Sequence, residues 1–192
     1  MLLDRRDDPT NPTKGWFSSA NFEQAIALFG SRSTSGKLLL QQSFYQEAGA
    51  MVLAGRAQLG TGYGSEALIV SERFLLGGAT TVRGYAEDSL GTRDSLGLPG
   101  GDALLAFNGE LRFPVHGWLR GVAFVDAGNV FASSGDLSIR DLAVGYGVGL
   151  RLASPFALIR VDFGIPASTV SPDRRGNQFS SGRVYFGIGH IF

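Results

Sequence analysis

The sequence predicts an all-β fold, a single antiparallel up-and-down sheet of eight strands with the patterning of a transmembrane β-barrel. Three observations lead there. Apolar residues recur at every second position and not with the 3.6-residue period of a helix. Clusters of Gly, Pro, Ser and Asn interrupt the chain at intervals of about ten residues. The strand face opposite the apolar one is built from glycine and ionisable side chains, which suits a lumen better than a soluble surface.

The alternation is clearest towards the C-terminus. Val144, Tyr146, Val148, Leu150 and Leu152 alternate with Gly145, Gly147, Gly149 and Arg151. Ala157, Ile159, Val161, Phe163 and Ile165 alternate with Leu158, Arg160, Asp162 and Gly164. Val184, Phe186, Ile188 and Phe192 alternate with Arg183, Tyr185, Gly187 and Gly189, with His190 the one polar residue on the apolar side. Extending this reading upstream places strands near 15–29, 36–48, 51–63, 103–113, 118–131, 142–153, 156–166 and 182–192. The strand at 118–131 has an ambiguous parity, because Val122, Phe124 and Val125 fall on both faces. Expected breaks are Gly30-Ser31, Gly49, Pro114 with Gly117, Ser133-Ser134-Gly135, Ser154-Pro155, and Pro172 to Gly176. No helix longer than a turn or two, fixed-period repeat or heptad is legible.

Residues 64–102 break the rhythm. Connections longer than about 12–15 residues are usually functional or disordered. Phe74 to Tyr85 in the middle of this one is too apolar for a free linker and is expected to pack against something.

Alternation alone fits a soluble β-sandwich binding module as well as a membrane barrel. The barrel is favoured by the glycine face of 145, 147, 149, 187 and 189, where a soluble strand would expose polar side chains. Arg151, Arg160, Asp162 and Arg183 share that face. Trp16, Phe17, Phe44, Tyr63, Trp118, Phe131, Phe156 and Phe192 lie near strand ends, where aromatics gather at membrane interfaces.

Composition narrows the function classes. Seventeen basic residues balance seventeen acidic ones, and a pI near 6.7 without a basic block argues against nucleic acid as partner. The chain has no cysteine, so thiolate zinc sites, disulfides and cysteine nucleophiles are all removed. His116 and His190 stand far apart without clustered ligands. No Gly-x-Ser-x-Gly elbow or carboxylate pair announces catalysis, and the period-two glycines lack the strand-turn-helix context of a nucleotide loop. Neither an enzyme nor a cofactor is expected. No apolar run follows Met1, so no signal peptide is expected here.

Val82-Arg83-Gly84-Tyr85, preceded by Phe74, Gly77 and Gly78, resembles the VRGY/VRGF signature of BamA-type outer-membrane assembly factors, the bacterial surface antigen family that also includes TamA-type proteins. Other stretches follow in that family's order. Asp4, Arg6, Pro9, Pro12 and Gly15 are spaced like its strand opening. Gly109 to Pro114, Phe124 to Phe131, and Gly147 to Arg151 with Ser154-Pro155 are similar to its next three strands. Gly187, His190 and Phe192 resemble the C-terminal signal of outer-membrane barrels. The likeness covers nearly the whole chain.

It implies a single barrel domain over 1–192, the C-terminal half of a larger barrel of about sixteen strands, with 64–102 inserted into the lumen. It also implies an integral protein of the bacterial outer membrane that assembles, inserts or translocates other outer-membrane proteins. Implied partners are outer-membrane lipid, unfolded outer-membrane protein clients, and a POTRA-bearing or N-terminal barrel portion. The loop latch carried over from the family is Val82, Arg83, Gly84 and Tyr85, with Arg83 held by Glu110 and Asp126. A guanidinium in a dry lumen needs carboxylates that take its donors as a fork. Alternation puts Glu110 on one face with Asn108 and Arg112. Gly187, Gly189, His190 and Phe192 are assigned to the C-terminal signal and a weakly paired seam strand.

A small barrel of eight strands is just wide enough for its own side chains. Half of a larger barrel, a homodimer of half-barrels, and a small closed barrel with the loop outside therefore compete. The first is favoured, as a strongly curved sheet. The alternative function is a structural or pore-forming barrel without insertase activity.

Overall fold

The computed structural model describes residues 1–25, 35–64, 68, 70–153, 158–167 and 182–192. They form one antiparallel sheet in which every strand pairs with its neighbour in sequence. Its strands are β1 (Leu2–Asp4), β2 (Gly15–Ala25), β3 (Ser35–Ala48), β4 (Met51–Gly64), β5 (Ala103–His116), β6 (Leu119–Phe131), β7 (Ala143–Ala153), β8 (Leu158–Pro166) and β9 (Arg183–Ile188). Three single 3-10 turns complete the regular structure among the described residues. β1 and β9 are the two edges, so the sheet is open and the small closed barrel is set aside.

Nine strands stand where eight were expected, because the N-terminus itself pairs. Leu2, Leu3 and Asp4 face Ser19, Ser18 and Phe17 of β2, and the Met1 ammonium donates to the Ala20 carbonyl at 2.8 Å. Three residues beside a charged run carry no period to read. The expected break at Pro114 is also corrected. β5 runs through it to His116, and the ladder slips between these two residues, the kind of irregularity that accommodates a missing N–H. The last strand is shorter than 182–192. Gly189 takes φ +82°, and the chain leaves the sheet there. The expected breaks at Gly30-Ser31, Ser154-Pro155 and Pro172 to Gly176, and Phe156, lie outside the described residues.

The two faces of the sheet are inverted relative to a soluble protein. Outward side chains are apolar and exposed: Leu40, Phe44, Leu53, Leu59, Phe107, Leu111, Val125, Tyr146, Val148, Ile159, Phe163 and Phe186. Inward side chains are polar and buried: Ser43, Arg56, Asn108, Glu110, Arg112, Asp126, Arg151, Arg160 and Asp162. A two-layered sandwich would bury the first set and solvate the second. The parity of β6 is resolved by the same rule, with Val122, Phe124 and Asp126 inward and Val125 outward.

Residues 70–102 lie against the inward face. Phe74 bridges Gly101 and Leu76 bridges Leu90, tying the segment into a compact fold of its own. Leu68, Phe74, Leu76, Val82, Tyr85 and Leu90 make one apolar cluster with Leu104, Ala106, Val130 and Ala143 of the sheet. Burial of such side chains contributes about 1.5–3 kcal/mol each, enough to hold a segment that has few strand hydrogen bonds.

The aromatic girdle is only partly as expected. Trp16, Phe44, Tyr63 and Trp118 are exposed. Phe131 is instead buried with Ala103 and Leu142, and Phe17 is half-buried under the Arg6 guanidinium, 4.8 Å from its ring centre. Phe192 turns inward rather than outward, as described below.

The N-terminal segment is fixed by a different device. Asp7 accepts the Thr13 hydroxyl (2.7 Å), the Lys14 N–H (3.0 Å) and the Thr13 N–H (2.9 Å). These donors hold its carboxyl well below the usual carboxylate range. The Thr13 hydroxyl also meets Glu47 of β3 at 2.5 Å, which docks the segment on the sheet.

Candidate functional site

The inward face carries a row of small residues between charged ones. Cross-strand register aligns Asn108, Asp126 and Gly145; Glu110, Phe124, Gly147 and Gly164; and Arg112, Val122, Gly149 and Asp162. The glycines form a shallow basin with carboxylates at its margins. A Cβ at Gly145 would collide with the Arg83 carbonyl oxygen, and one at Gly164 would stand 2.7 Å from the Gly84 nitrogen. The backbone of Arg83-Gly84 therefore rests directly on β7 and β8. Gly84 itself has φ +102°, and a Cβ there would press on Ile165 and Pro166.

Arg83 fills the basin and is 0% exposed. Asp126 takes it as a fork, from Nε at 2.7 Å and Nη2 at 3.0 Å, and also accepts the Arg83 backbone N–H at 3.1 Å. Nη1 donates to Glu110 at 2.8 Å and to Asp162 at 3.4 Å. Its Cζ lies 3.4 Å from the centre of the Phe124 ring, so the cation has an aromatic face below and carboxylates around its edge.

The carboxylates are themselves held. Asn108 donates to Asp126 at 2.7 Å and to the Thr81 carbonyl at 2.6 Å. Arg112 donates to Glu110 at 3.0 Å. Arg151 donates to Asp162 at 2.5 Å and 3.2 Å and to Glu110 at 3.3 Å. Arg56 reaches the Thr80 carbonyl at 2.7 Å and Asn108 at 2.7 Å and 3.0 Å. On the far side, the Tyr185 hydroxyl of β9 accepts the Gly84 N–H (2.9 Å) and donates to the Tyr85 carbonyl (2.7 Å). The Tyr85 hydroxyl donates to the Val144 carbonyl at 3.1 Å. Val82 is fully buried in the loop's apolar cluster.

The structure thus brings Val82, Arg83, Gly84, Tyr85, Glu110 and Asp126 together. Sequence reasoning missed Asp162, Phe124, Asn108 and Tyr185 as parts of the same cluster. Asp162 and Tyr185 were legible as inward residues, since each alternates with the apolar positions of its strand; nothing in the sequence says that β8 and β9 curl far enough to reach the loop. Phe124 stood in the strand of ambiguous parity.

The C-terminal residues do not act as one strand. Gly187 belongs to β9, whereas Gly189 to Phe192 cross the inward face. The Gly189 N–H donates to the Leu158 carbonyl at 2.7 Å, and then Ile191 is buried with its carbonyl accepting from Arg56 at 3.1 Å. The Phe192 ring sits under Arg56 at 5.2 Å and Arg112 at 5.8 Å, and His190 Nε2 lies 3.0 Å from Asn11 Oδ1. The outward placement expected of His190 and Phe192 fails because the left-handed turn at Gly189 ends the alternation. That a tail leaving β9 meets side chains of β4 and β5 shows how strongly the sheet curves.

Comparison with known proteins agrees with this geometry. A family model, the Omp85 superfamily domain, matches residues 1–192. The SAM50-like protein SPAC17C9.06 of Schizosaccharomyces pombe is 30% identical over 208 residues, covering 93% of this chain and 42% of the relative. The outer membrane protein assembly factor BamA of Nitratidesulfovibrio vulgaris is 32% identical over 199 residues, covering 98% of this chain and 24% of the relative. The crystal structure of BamA from Haemophilus ducreyi lacking POTRA domains 1–3 superposes with a TM-score of 0.73 at 19% identity, over 88% of this chain and 38% of that one. The chain spans less than half the length of each of these proteins.

Proposed function

The chain belongs to the Omp85 superfamily, and on that footing we propose that it acts in the bacterial outer membrane, in the assembly, insertion or translocation of other outer-membrane proteins. Its clients are unfolded outer-membrane proteins. Its surroundings are outer-membrane lipid and a further portion that completes the barrel or carries POTRA modules. The observation that carries this reading is the inverted sheet, oily outside and ionic inside, with the loop of 70–102 latched onto the ionic face through Arg83.

The working part is the β9 edge. A strand edge left open in hydrocarbon strands N–H and C=O groups at several kcal/mol each, so an incoming strand is drawn to it. β9 is short, six residues, and it holds the loop through Tyr185, which links the edge to the latch. The work is done by hydrogen-bond exchange and needs no covalent step.

A plain pore is the other use of such a barrel. The inward face here is occupied by the loop and by the C-terminal residues, which speaks against an open channel. The test is reconstitution into liposomes with a denatured client barrel. Client folding should be faster than in empty liposomes; equal rates, or ion conductance in place of acceleration, would overturn the reading.

A further inference from the structure

Five guanidinium groups are buried on the inward face, those of Arg56, Arg83, Arg112, Arg151 and Arg160, against three carboxylates, Glu110, Asp126 and Asp162. Among the buried side chains of the described residues, positive charges thus outnumber negative ones by two, in a chain that is neutral overall. Four of the five meet acceptors: Arg83, Arg112 and Arg151 meet carboxylates, with one nitrogen left over on each of the last two, and Arg56 meets Asn108 and two backbone carbonyls. Arg160 differs. It is 5% exposed, yet its Nε and Nη1 have no acceptor among the described residues.

A buried cation without a partner is among the costlier arrangements a protein can hold, so native structures supply one. The direction in which Arg160 points says where from. Its register partners are Arg151 on β7 and Gly187 on β9. Asp162, the nearest acid in its own strand, is already engaged by Arg151 and Arg83. The Arg160 side chain turns the other way and lies across Gly187: a Cβ there would collide with Nε and stand 3.1 Å from both Cζ and Nη2. Glycine at 187 leaves the space in which the guanidinium lies against β9, the edge strand of the sheet.

We propose that the incoming client strand which pairs with β9 carries an Asp or Glu in its inward row, at the position facing Gly187, and that this carboxylate is the partner of Arg160. The proposal rests on the reading of β9 as a strand-accepting edge and adds the side chain that edge selects. Pairing by backbone alone fixes neither register nor partner. One inward acid fixes both, because a slip of one residue sends it to the apolar outer face.

The test uses the full chain in detergent micelles and strand peptides of about ten residues, with Val at outward and Ser at inward positions. A single Glu, or Gln as its neutral isostere, is walked along the inward row, and each peptide carries a fluorophore for titration. One Glu position should bind about tenfold tighter than its Gln counterpart, and Arg160→Gln should abolish that difference. Arg160→Glu should instead favour a Lys at the same position, which guards against misreading a variant that has only lost its fold. Edge binding with no preference for Glu at any position overturns this proposal and leaves the strand-accepting edge intact. Failure of every peptide to bind overturns both. Competition by inorganic phosphate at the same charge overturns the strand partner in favour of a free anion.

Discussion

Arg83 and Arg160 share the inward face of the same sheet, and their surroundings could hardly differ more. Arg83 donates to three carboxylates on three strands and lies on an aromatic ring, while Arg160 lies across a glycine next to an open edge with two nitrogens unanswered. Both are shut away from water. Around Arg83, on β5, β6 and the Asp162 side of β8, charge meets charge, whereas on the β9 side of β8, where Arg160 lies, it does not. A lumen of this kind tolerates charge wherever the opposite charge is built into neighbouring strands. An unanswered cation therefore marks the place where a neighbour is missing.

Replacing each arginine by Met should separate the two most widely. Arg83→Met leaves buried carboxylates around an apolar side chain and should destabilise by about 3–5 kcal/mol, with residues 70–102 becoming open to protease. Arg160→Met removes only an unanswered charge and should leave the urea midpoint unchanged or raised. If both variants lost the same stability, the contrast drawn here would be wrong.

Shape can be tested apart from charge. Gly164→Ala puts a methyl against Arg83-Gly84 and should cost about 1–3 kcal/mol through overpacking, releasing the loop to protease although every ionic partner remains. A loop still protected in that variant would show that the glycine basin is incidental. The smallest effect concerns the link between centre and margin. Tyr185→Phe deletes the hydroxyl shared by Gly84 and Tyr85, at about 1 kcal/mol. It should raise amide exchange at Gly84 selectively; uniform exchange across the loop would deny that β9 and the latch communicate.

Much of this was legible beforehand, for physical reasons. A strand in contact with lipid on one side and ions on the other has to alternate, so β7, β8 and most of β9 could be read directly from Val144 to Leu152, Leu158 to Ile165 and Val184 to Ile188. The inward direction of Glu110 followed from Leu111 and Phe113 alone. β1 was not legible, since three residues cannot display a period and its partner is supplied by β2. The turn at Gly189 was hidden because glycine also suits the inward row of a strand, and only a φ of +82° distinguishes the two uses. Asp162 as the third acid around Arg83 depends on curvature, which is a property of the whole sheet and of no segment within it.

The chain order of the groups around Arg83 carries a last consequence. The guanidinium is synthesised before Glu110 and Asp126, and well before Asp162. Glu110 and Asp126 take all three of its nitrogens, and the further contact with Asp162, at 3.4 Å, forms only once β8 lies beside β7. A complete ion cluster accordingly reports that β5, β6 and β8 have docked in register, much as a keystone can be seated only once both flanks of an arch are standing.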